Sequence, residues 1–499
     1  MHPIDIAIMT AYILGCMGIG VLARGKGDDA EDYFTASGGM GGWFSTIVVG
    51  LSIAGTFFSG ISFFSYPSVA YSDGILMPVW GLAIAMPLAF IVLRYWFLPA
   101  YLAGGWKFPY DIIEDRFGPQ ARTVAASLYI MMRVGWMAMM IYAPTVAIMA
   151  MGRLDHKWFW PIVLITGVSN TLYTVVSGIR GVIVTEAVQM LVIIIGVGAT
   201  IASAWWQMPV PFSTAIANLH AAGKLELFNF SLDPKAGMTV FAVVLGLTAG
   251  NLTNYIGDQM SLQRYLATGD ARAAVRSFGV NVIGVVIVVC LLTTIGLSLF
   301  VFYANTPDPT LPAKADKIFP HFVATRLPPG IAGLLLAALL AATSIPSGIN
   351  TLAAVITLDF HSRFAGQLNN AQLAKWGKIY SLIIGIAATL SAGIVSSLGT
   401  IFEVSQIILG VFAGPLLSCI ILATAGVRMR SAFLITAMVC GWTMGVIVTY
   451  SGVHPLWVTP GSAIVTLLVG WLLGRISPNR EIAAAGFRAV EKQPELLPE

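Results

Sequence analysis

Leu51-Ser-Ile-Ala-Gly-Thr-Phe-Phe-Ser-Gly60 lies inside an apolar run, residues 43–70, that also contains Pro67. Two glycines and three hydroxyls in ten residues give a membrane-spanning helix little, and they loosen its backbone. In hydrocarbon a freed carbonyl or N–H is costly unless it lines a cavity or holds an ion. Secondary transporters build cation sites from helices interrupted in this way. The stretch therefore predicts a membrane protein that works by transport.

Read outward from there, the composition agrees. The 499 residues are 57% hydrophobic and 10% charged, whereas soluble domains carry roughly 25% charged residues. Thirteen runs are long enough to cross about 30 Å of hydrocarbon: 4–23, 43–70, 75–97, 123–151, 158–177, 182–206, 238–257, 277–303, 329–358, 378–396, 402–425, 431–451 and 456–474. The first has no basic leader and no small-residue cleavage site, so it reads as a retained helix. With the N-terminus outside, 19 of the 27 Lys and Arg fall in cytoplasmic segments, Arg264 among them; seven fall outside and Arg133 lies within a run. The positive-inside rule selects this N-out, C-in topology.

Several classes are excluded. The net charge of +4 is used by the loop asymmetry and calls for no nucleic acid. The four cysteines sit within apolar runs at irregular spacing, as packing residues do. No P-loop, GxSxG, CxxC or His cluster offers enzyme or transition-metal chemistry. The longest loops, 209–237 and 305–328, are both outside, and the tail from Arg475 is too short for a folded output module, which weighs against a membrane sensor. The expected partners are a small-molecule substrate and the lipid bilayer, with a monomer as the transport unit.

Runs two to six and seven to eleven form two five-helix units whose odd length forces opposite orientation. Each opens on a Gly-interrupted span, with Gly55 and Gly60 in one and Gly246 and Gly250 in the other. Paired interruptions point to a midplane binding site. The chain divides into 1–42 (first span and following loop), 43–207 and 208–425 (the two repeats), 426–474 (two peripheral spans) and 475–499 (a cytoplasmic tail).

Four segments, in order, are Asp29-Ala-Glu-Asp-Tyr-Phe34, Ser177-Gly-Ile-Arg-Gly-Val-Ile-Val-Thr-Glu-Ala-Val-Gln189, Asp258-Gln-Met-Ser-Leu-Gln-Arg-Tyr265, and Ala341-Ala-Thr-Ser-Ile-Pro-Ser-Gly-Ile-Asn350 leading into Asp359. Together they resemble the sodium:solute symporter family. Gly55-Thr-Phe-Phe-Ser59, Tyr142-Ala-Pro144 and Ile349-Asn-Thr-Leu-Ala-Ala354 look most like its monocarboxylate, multivitamin and iodide symporters, while 261–265 and 329–342 are also similar to bacterial sialic acid symporters. The resemblance implies an all-α polytopic membrane protein with an inverted five-plus-five helix core, LeuT-like, in a bacterial inner membrane.

It also implies sites. The family's common sodium site maps to the carbonyls of Gly55, Phe58 and Leu340 and the hydroxyls of Thr343 and Ser344. About five neutral oxygens at a helix break suit a hard monovalent cation that must also leave. Thr343 and Ser344 could equally bond carbonyls one turn back in their own helix. A second sodium site of some members maps to Glu186, in place of an Asp, with Thr343 and Ser347, while Pro346 replaces a serine and supplies no hydroxyl. An intramembrane carboxylate is expensive unless it is paired, protonated or coordinating. Glu186 thus holds a second Na+, carries H+, or pairs with Arg133.

Arg133 lies about ten residues, or ~15 Å, beyond Arg122, too deep to snorkel. Sialic acid symporters hold the substrate carboxylate with an Arg on this span, at the position of Met137 here, one turn away. Carboxylate capture and pairing with Glu186 are the two roles it suggests. The expected solute cavity is lined by Phe57, Ser59, Ser62, Trp80, Asn251, Asn254 and Tyr255, although packing alone explains any one of these aromatics. Few amides and hydroxyls among aromatics favour a small organic anion over a polyhydroxylated sugar. The expectation is a sodium-coupled symporter for a monocarboxylate or other small carboxylated metabolite. The alternatives are a sialic acid, sugar or amino-acid symporter, or a transporter-derived sensor.

Overall fold

The computed structural model describes residues 2–23, 33–34, 42–58, 60–106, 110–152, 154–236, 238–341, 345–362, 369–395 and 401–476. Helices dominate. The first half holds α1 (Pro3–Leu22), α2 (Trp43–Phe57), α3 (Gly60–Asp73), α4 (Leu76–Ala103), α5 (Asp111–Phe117), α6 (Pro119–Gly152), α7 (Phe159–Trp206) and α8 (Phe212–Ala221). The second holds α9 (Val240–Gly257), α10 (Gln259–Thr268), α11 (Ala271–Asn305), α12 (Ile318–Arg326), α13 (Ile331–Ala341), α14 (Ile345–Val355), α15 (Asn370–Val395), α16 (Ile401–Thr424), α17 (Ser431–Tyr450) and α18 (Val458–Ile476).

Among the described residues, eleven helices are long and apolar enough to cross a membrane. The other two predicted runs are present in different form. Run 43–70 is the interrupted pair α2 and α3, and run 158–177 is the first part of α7, which bends at Gly178 (φ 60°, ψ −169°). That left-handed φ is open to glycine and strained for other residues. In α4, π-turns at Gly81–Ala85 and Leu93–Phe97 lead into Pro87 and Pro99, whose missing N–H breaks the regular ladder.

Loop contacts agree with the predicted alternation of sides. Ile75 N–H bonds Lys224 O (3.0 Å), His454 N–H bonds Pro234 O (3.0 Å), and both pairs join segments assigned outside. Ser431 Oγ donates to Phe117 O between segments assigned inside. Side chains such as Ile165, Ile195 and Leu390 point outward from the bundle, as a lipid-facing surface requires.

In the core α2 packs against α7 and α11. Glycines permit the approach: a Cβ on Gly50 would sit 2.4 Å from Ser277 O of α11, and one on Gly55 would sit 3.0 Å from Glu186 O of α7. With little hydrophobic force between helices in lipid, such close packing holds them together.

The second interruption is not where the glycines predict it. Gly246 and Gly250 lie inside continuous helix, and Gly246 serves packing, its missing Cβ leaving room for Leu456 O. The chain instead loosens into a π-turn at Thr253–Gly257 and breaks at Asp258 (φ −96°, ψ 127°). Asp258 ends one helix and starts the next by accepting the Met260 N–H (2.8 Å), the role of an N-cap. Ser261 Oγ returns a hydrogen bond to Asn254 O (2.8 Å). The break is thus chemically satisfied in both directions.

Candidate functional site

At the first break Phe58 leaves helical space (φ −78°, ψ 93°) while its N–H still reaches Ala54 O (3.0 Å). Its ring is buried and faces that of Tyr66 at 6.2 Å. Gly55, in the last turn of α2, is pressed against the backbone of Glu186. Leu340, buried in the last turn of α13, is the third predicted sodium residue that the structure describes. Thr343, Ser344 and Ser59 lie outside the described residues, as does the side chain of Phe57.

Beside this break lies a fully buried ion pair. Glu186 of α7 and Arg264 of α10 are each 0% exposed, with Arg264 Nη2 2.6 Å from Glu186 Oε2. Ser52 Oγ of α2 donates to the same oxygen at 2.6 Å, and Thr56 Oγ1 shares its proton between that oxygen (3.1 Å) and Ser52 O (2.7 Å). Ser347 of α14 donates to Oε1. Arg264 also donates to Ser52 Oγ (3.0 Å), Met260 O (2.6 Å) and Ser347 Oγ. A buried pair is tolerated when such additional hydrogen bonds complete both partners.

A second buried pair flanks the other break. Arg133 of α6 bonds Asp258 and donates from Nε to Tyr129 Oη (3.2 Å), whose hydroxyl donates to Asp258 Oδ1 (3.1 Å). The guanidinium also lies over the Tyr129 ring, 5.6 Å from its centroid. The pairing of Glu186 with Arg133 raised by the sequence is therefore not the one formed; each charge has a different partner. Arg264 is likewise no loop residue of the cytoplasmic face. Both ion pairs hang on α10, Asp258 at its cap and Arg264 within it, and Gln263 ties it to Thr351 of α14 (2.8 Å).

The expected solute-lining residues are spread along the bundle. Ser62, Asn251 and Asn254 are half-buried near the breaks. Tyr255 is buried edge-on to Phe278 at 4.6 Å. Trp80 lies at the outer end, its Nε1 donating to Leu227 O (2.7 Å) and its ring against Phe228. It joins the outer loop and not the charged centre.

Two further polar clusters bracket the site. On the cytoplasmic side Arg122 binds Asp359, Asp111 (2.6 Å) and Glu114 (2.8 Å), tying α5 and α6 to the end of the α14 span beside a recess of about 910 Å³. On the outer side Asp5 Oδ1 accepts the N–H groups of Gly330 and Gly333 (2.8 Å each), fixing α1 to the start of α13. In the outer loop Asp308 takes the Thr310 hydroxyl (2.6 Å), the Thr310 N–H (2.8 Å) and the His321 ring (3.1 Å). The Thr310 hydroxyl first, then His321, hold its carboxyl below the usual carboxylate range.

Sequence reasoning missed Ser52, Thr56, Asp258 and Arg264 as site residues. Ser52 and Thr56 are spaced i, i+4 on one face of α2, inside the stretch that marks the break. Asp258 and Arg264 stand six residues apart in the stretch 258–265, immediately after an apolar run.

The family model "Sodium:solute symporter family" matches residues 33–441. The human sodium/iodide cotransporter is 29% identical over 84% of this chain and 65% of that protein, so the chain spans about two thirds of its length. The sodium/sialic acid symporter SiaT of Proteus mirabilis (strain HI4320) is 28% identical over 83% of each chain. Human sodium-coupled monocarboxylate transporter 1 is 26% identical over 83% of this chain and 68% of that protein. Among solved structures, a Na+-coupled sialic acid symporter in a substrate-bound outward-open state matches with a TM-score of 0.84 at 23% identity, covering 95% of this chain and 98% of that one. A nucleobase-cation-symport-1 family transporter in a closed conformation matches with 0.57 at 14%, covering 92% and 98%. These structural likenesses are likenesses of fold, and they bear out the LeuT-like architecture expected from the sequence. With the family match running from Tyr33 before α2 into α17, the chain belongs to the sodium:solute symporter family and is a membrane transporter, not an enzyme.

Proposed function

We propose that this protein imports a small organic anion, a monocarboxylate or other small carboxylated metabolite, together with Na+ by alternating access. The observation that carries the reading is the pair of interrupted helices, broken after Phe57 and at Asp258, with a buried ion pair beside each. Sodium sits at the first break on the carbonyls of Gly55, Phe58 and Leu340 and the hydroxyls of Thr343 and Ser344. The solute sits between the breaks near Ser62, Asn251 and Asn254. Arg133 takes its carboxylate by exchanging Asp258 for it, since a planar guanidinium serves either carboxylate equally well, while the released Asp258 keeps the Tyr129 hydroxyl and the Met260 N–H on Oδ1. The named solutes of the three relatives, iodide, sialic acid and monocarboxylates, are all anions at neutral pH, which supports the anionic reading. Residues 43–207 and 208–425 act as the two repeats, and the monomer is the transport unit.

A thermal-shift screen of the purified full chain tests this against small monocarboxylates, sialic acid, neutral sugars and amino acids, each in Na+ and in choline. Stabilisation by carboxylates in Na+ alone, and none by their methyl esters, is the expected result. Stabilisation by a neutral sugar alone would overturn the anionic solute, and sialic acid alone would narrow it to a carboxylated sugar.

A further inference from the structure

The relation between Glu186 and Arg264 says more than that two charges are compensated. Glu186 occupies the position at which the family resemblance implies a second cation, and the residues present there do not fit an ion. A carboxylate offers roughly four lone-pair sites. Here Ser52 and the Arg264 Nη2 converge on one oxygen, Thr56 shares its proton between that oxygen and Ser52 O, and Ser347 takes the other carboxylate oxygen. Ser347, the hydroxyl expected to bind the ion, donates to Glu186 and accepts from Arg264. Thr343 lies outside the described residues, and Pro346 supplies no hydroxyl. An ion on Glu186 would have to displace these donors and stand beside a guanidinium of like charge.

Four of the five N–H groups of the guanidinium have partners. Nε meets Ser52, Nη1 meets Met260 O, and Nη2 meets both Glu186 and Ser347. Its contacts span α2 and α7 of the first repeat and α14 of the second, which is what a coordinated ion at this position would do. We infer that the Arg264 guanidinium is a built-in cation at Glu186, and that this position takes up no sodium ion during transport. The chain then binds one Na+, the ion at the first helix break; the count rests on the site proposed above.

The test is equilibrium binding of radioactive Na+ to the purified full chain, with no solute added. The wild type should bind one ion per chain. Glu186→Gln should still bind one ion per chain, whereas Thr343→Ala should weaken that binding roughly tenfold, the order of one lost ligand. Arg264→Gln should gain a second ion, lost again in Glu186→Gln/Arg264→Gln. Where a single variant does not fold because it leaves a charge uncompensated, the neutral double variant and the wild-type count decide. Two ions in the wild type, one of them lost with Glu186, would overturn the inference, as would a folded Arg264→Gln that binds only one. Binding of one ion that is indifferent to Thr343 and Ser344 overturns the sodium site proposed above and leaves Arg264 as the cation at Glu186. The two failures are therefore distinct.

Discussion

In the proposed mechanism the identity of the solute turns on Arg133. If it exchanges Asp258 for a substrate carboxylate, Arg133→Gln should weaken solute binding by roughly two orders of magnitude, the order of cost for removing one partner of a desolvated pair. The affinity of the methyl ester, already poor, should fall little further. The competing outcome is that Arg133→Gln fails to fold and Asp258→Asn rescues both folding and transport, which would make the pair structural. Thr343 and Ser344 make the companion case. Thr343→Ala and Ser344→Ala should each raise the Na+ concentration for half-maximal transport while the protein still reaches the membrane, and an unchanged sodium curve in both would remove them from the site. These residues show what the sequence discloses and what it withholds. Arg133 and Glu186 are conspicuous because charge within apolar runs is costly. Their partners are not, because Glu186 meets Arg264 across 78 residues of chain, and no local period encodes such a contact.

Short elements carry much of the arrangement. Helix α10 has nine of its ten residues buried, yet it reads in the sequence as part of a charged cytoplasmic connection, since Arg264 and Gln263 are satisfied by tertiary partners and not by water. The position of its start was hidden for a related reason: Gly246 and Gly250 suggest a break, but Gly246 makes room for Leu456 within a continuous helix, and the capping carboxylate of Asp258 sets the boundary. The outer loop offers a test by pH. Because the native carboxyl of Asp308 is held below its ordinary value of 3.8, its contribution is present above that value and is lost as pH falls through the lower native one. Amide exchange at 308–311 should therefore stay slow at pH 4, and Asp308→Asn should speed it already at neutral pH. Equal exchange in wild type and variant at neutral pH would show that Thr310 and His321 order the loop without the carboxylate.

At the scale of the whole molecule, hydropathy and Lys/Arg placement were enough to recover eleven of the thirteen expected spans as helices that could cross a membrane, and an alternation that the loop contacts respect, because lipid requires length and apolarity of every span regardless of its partners. What they could not reveal was convergence: Ser52, Glu186, Arg264 and Ser347 come from four separate helices, and only folding makes them neighbours. The energetics of import follow from the count of ions. One inward Na+ gains about 2.3 kcal/mol from 100 mV and about 1.4 kcal/mol from a tenfold gradient. The entry of a monoanion cancels the first, so accumulation with one ion should be about tenfold for a tenfold sodium gradient. Uptake into proteoliposomes should then be unaffected by an imposed potassium diffusion potential. A potential that changes the final accumulation would require a further cation per cycle. The paired charges have one more consequence, for the return journey. Arg133 with Asp258 and Arg264 with Glu186 each sum to zero within contact distance, so the unloaded carrier presents neutral dipoles to the membrane field. Voltage steps applied without sodium should evoke no capacitive transient, and the resting distribution between the two sides of the bilayer should not depend on how strongly the cell is polarised.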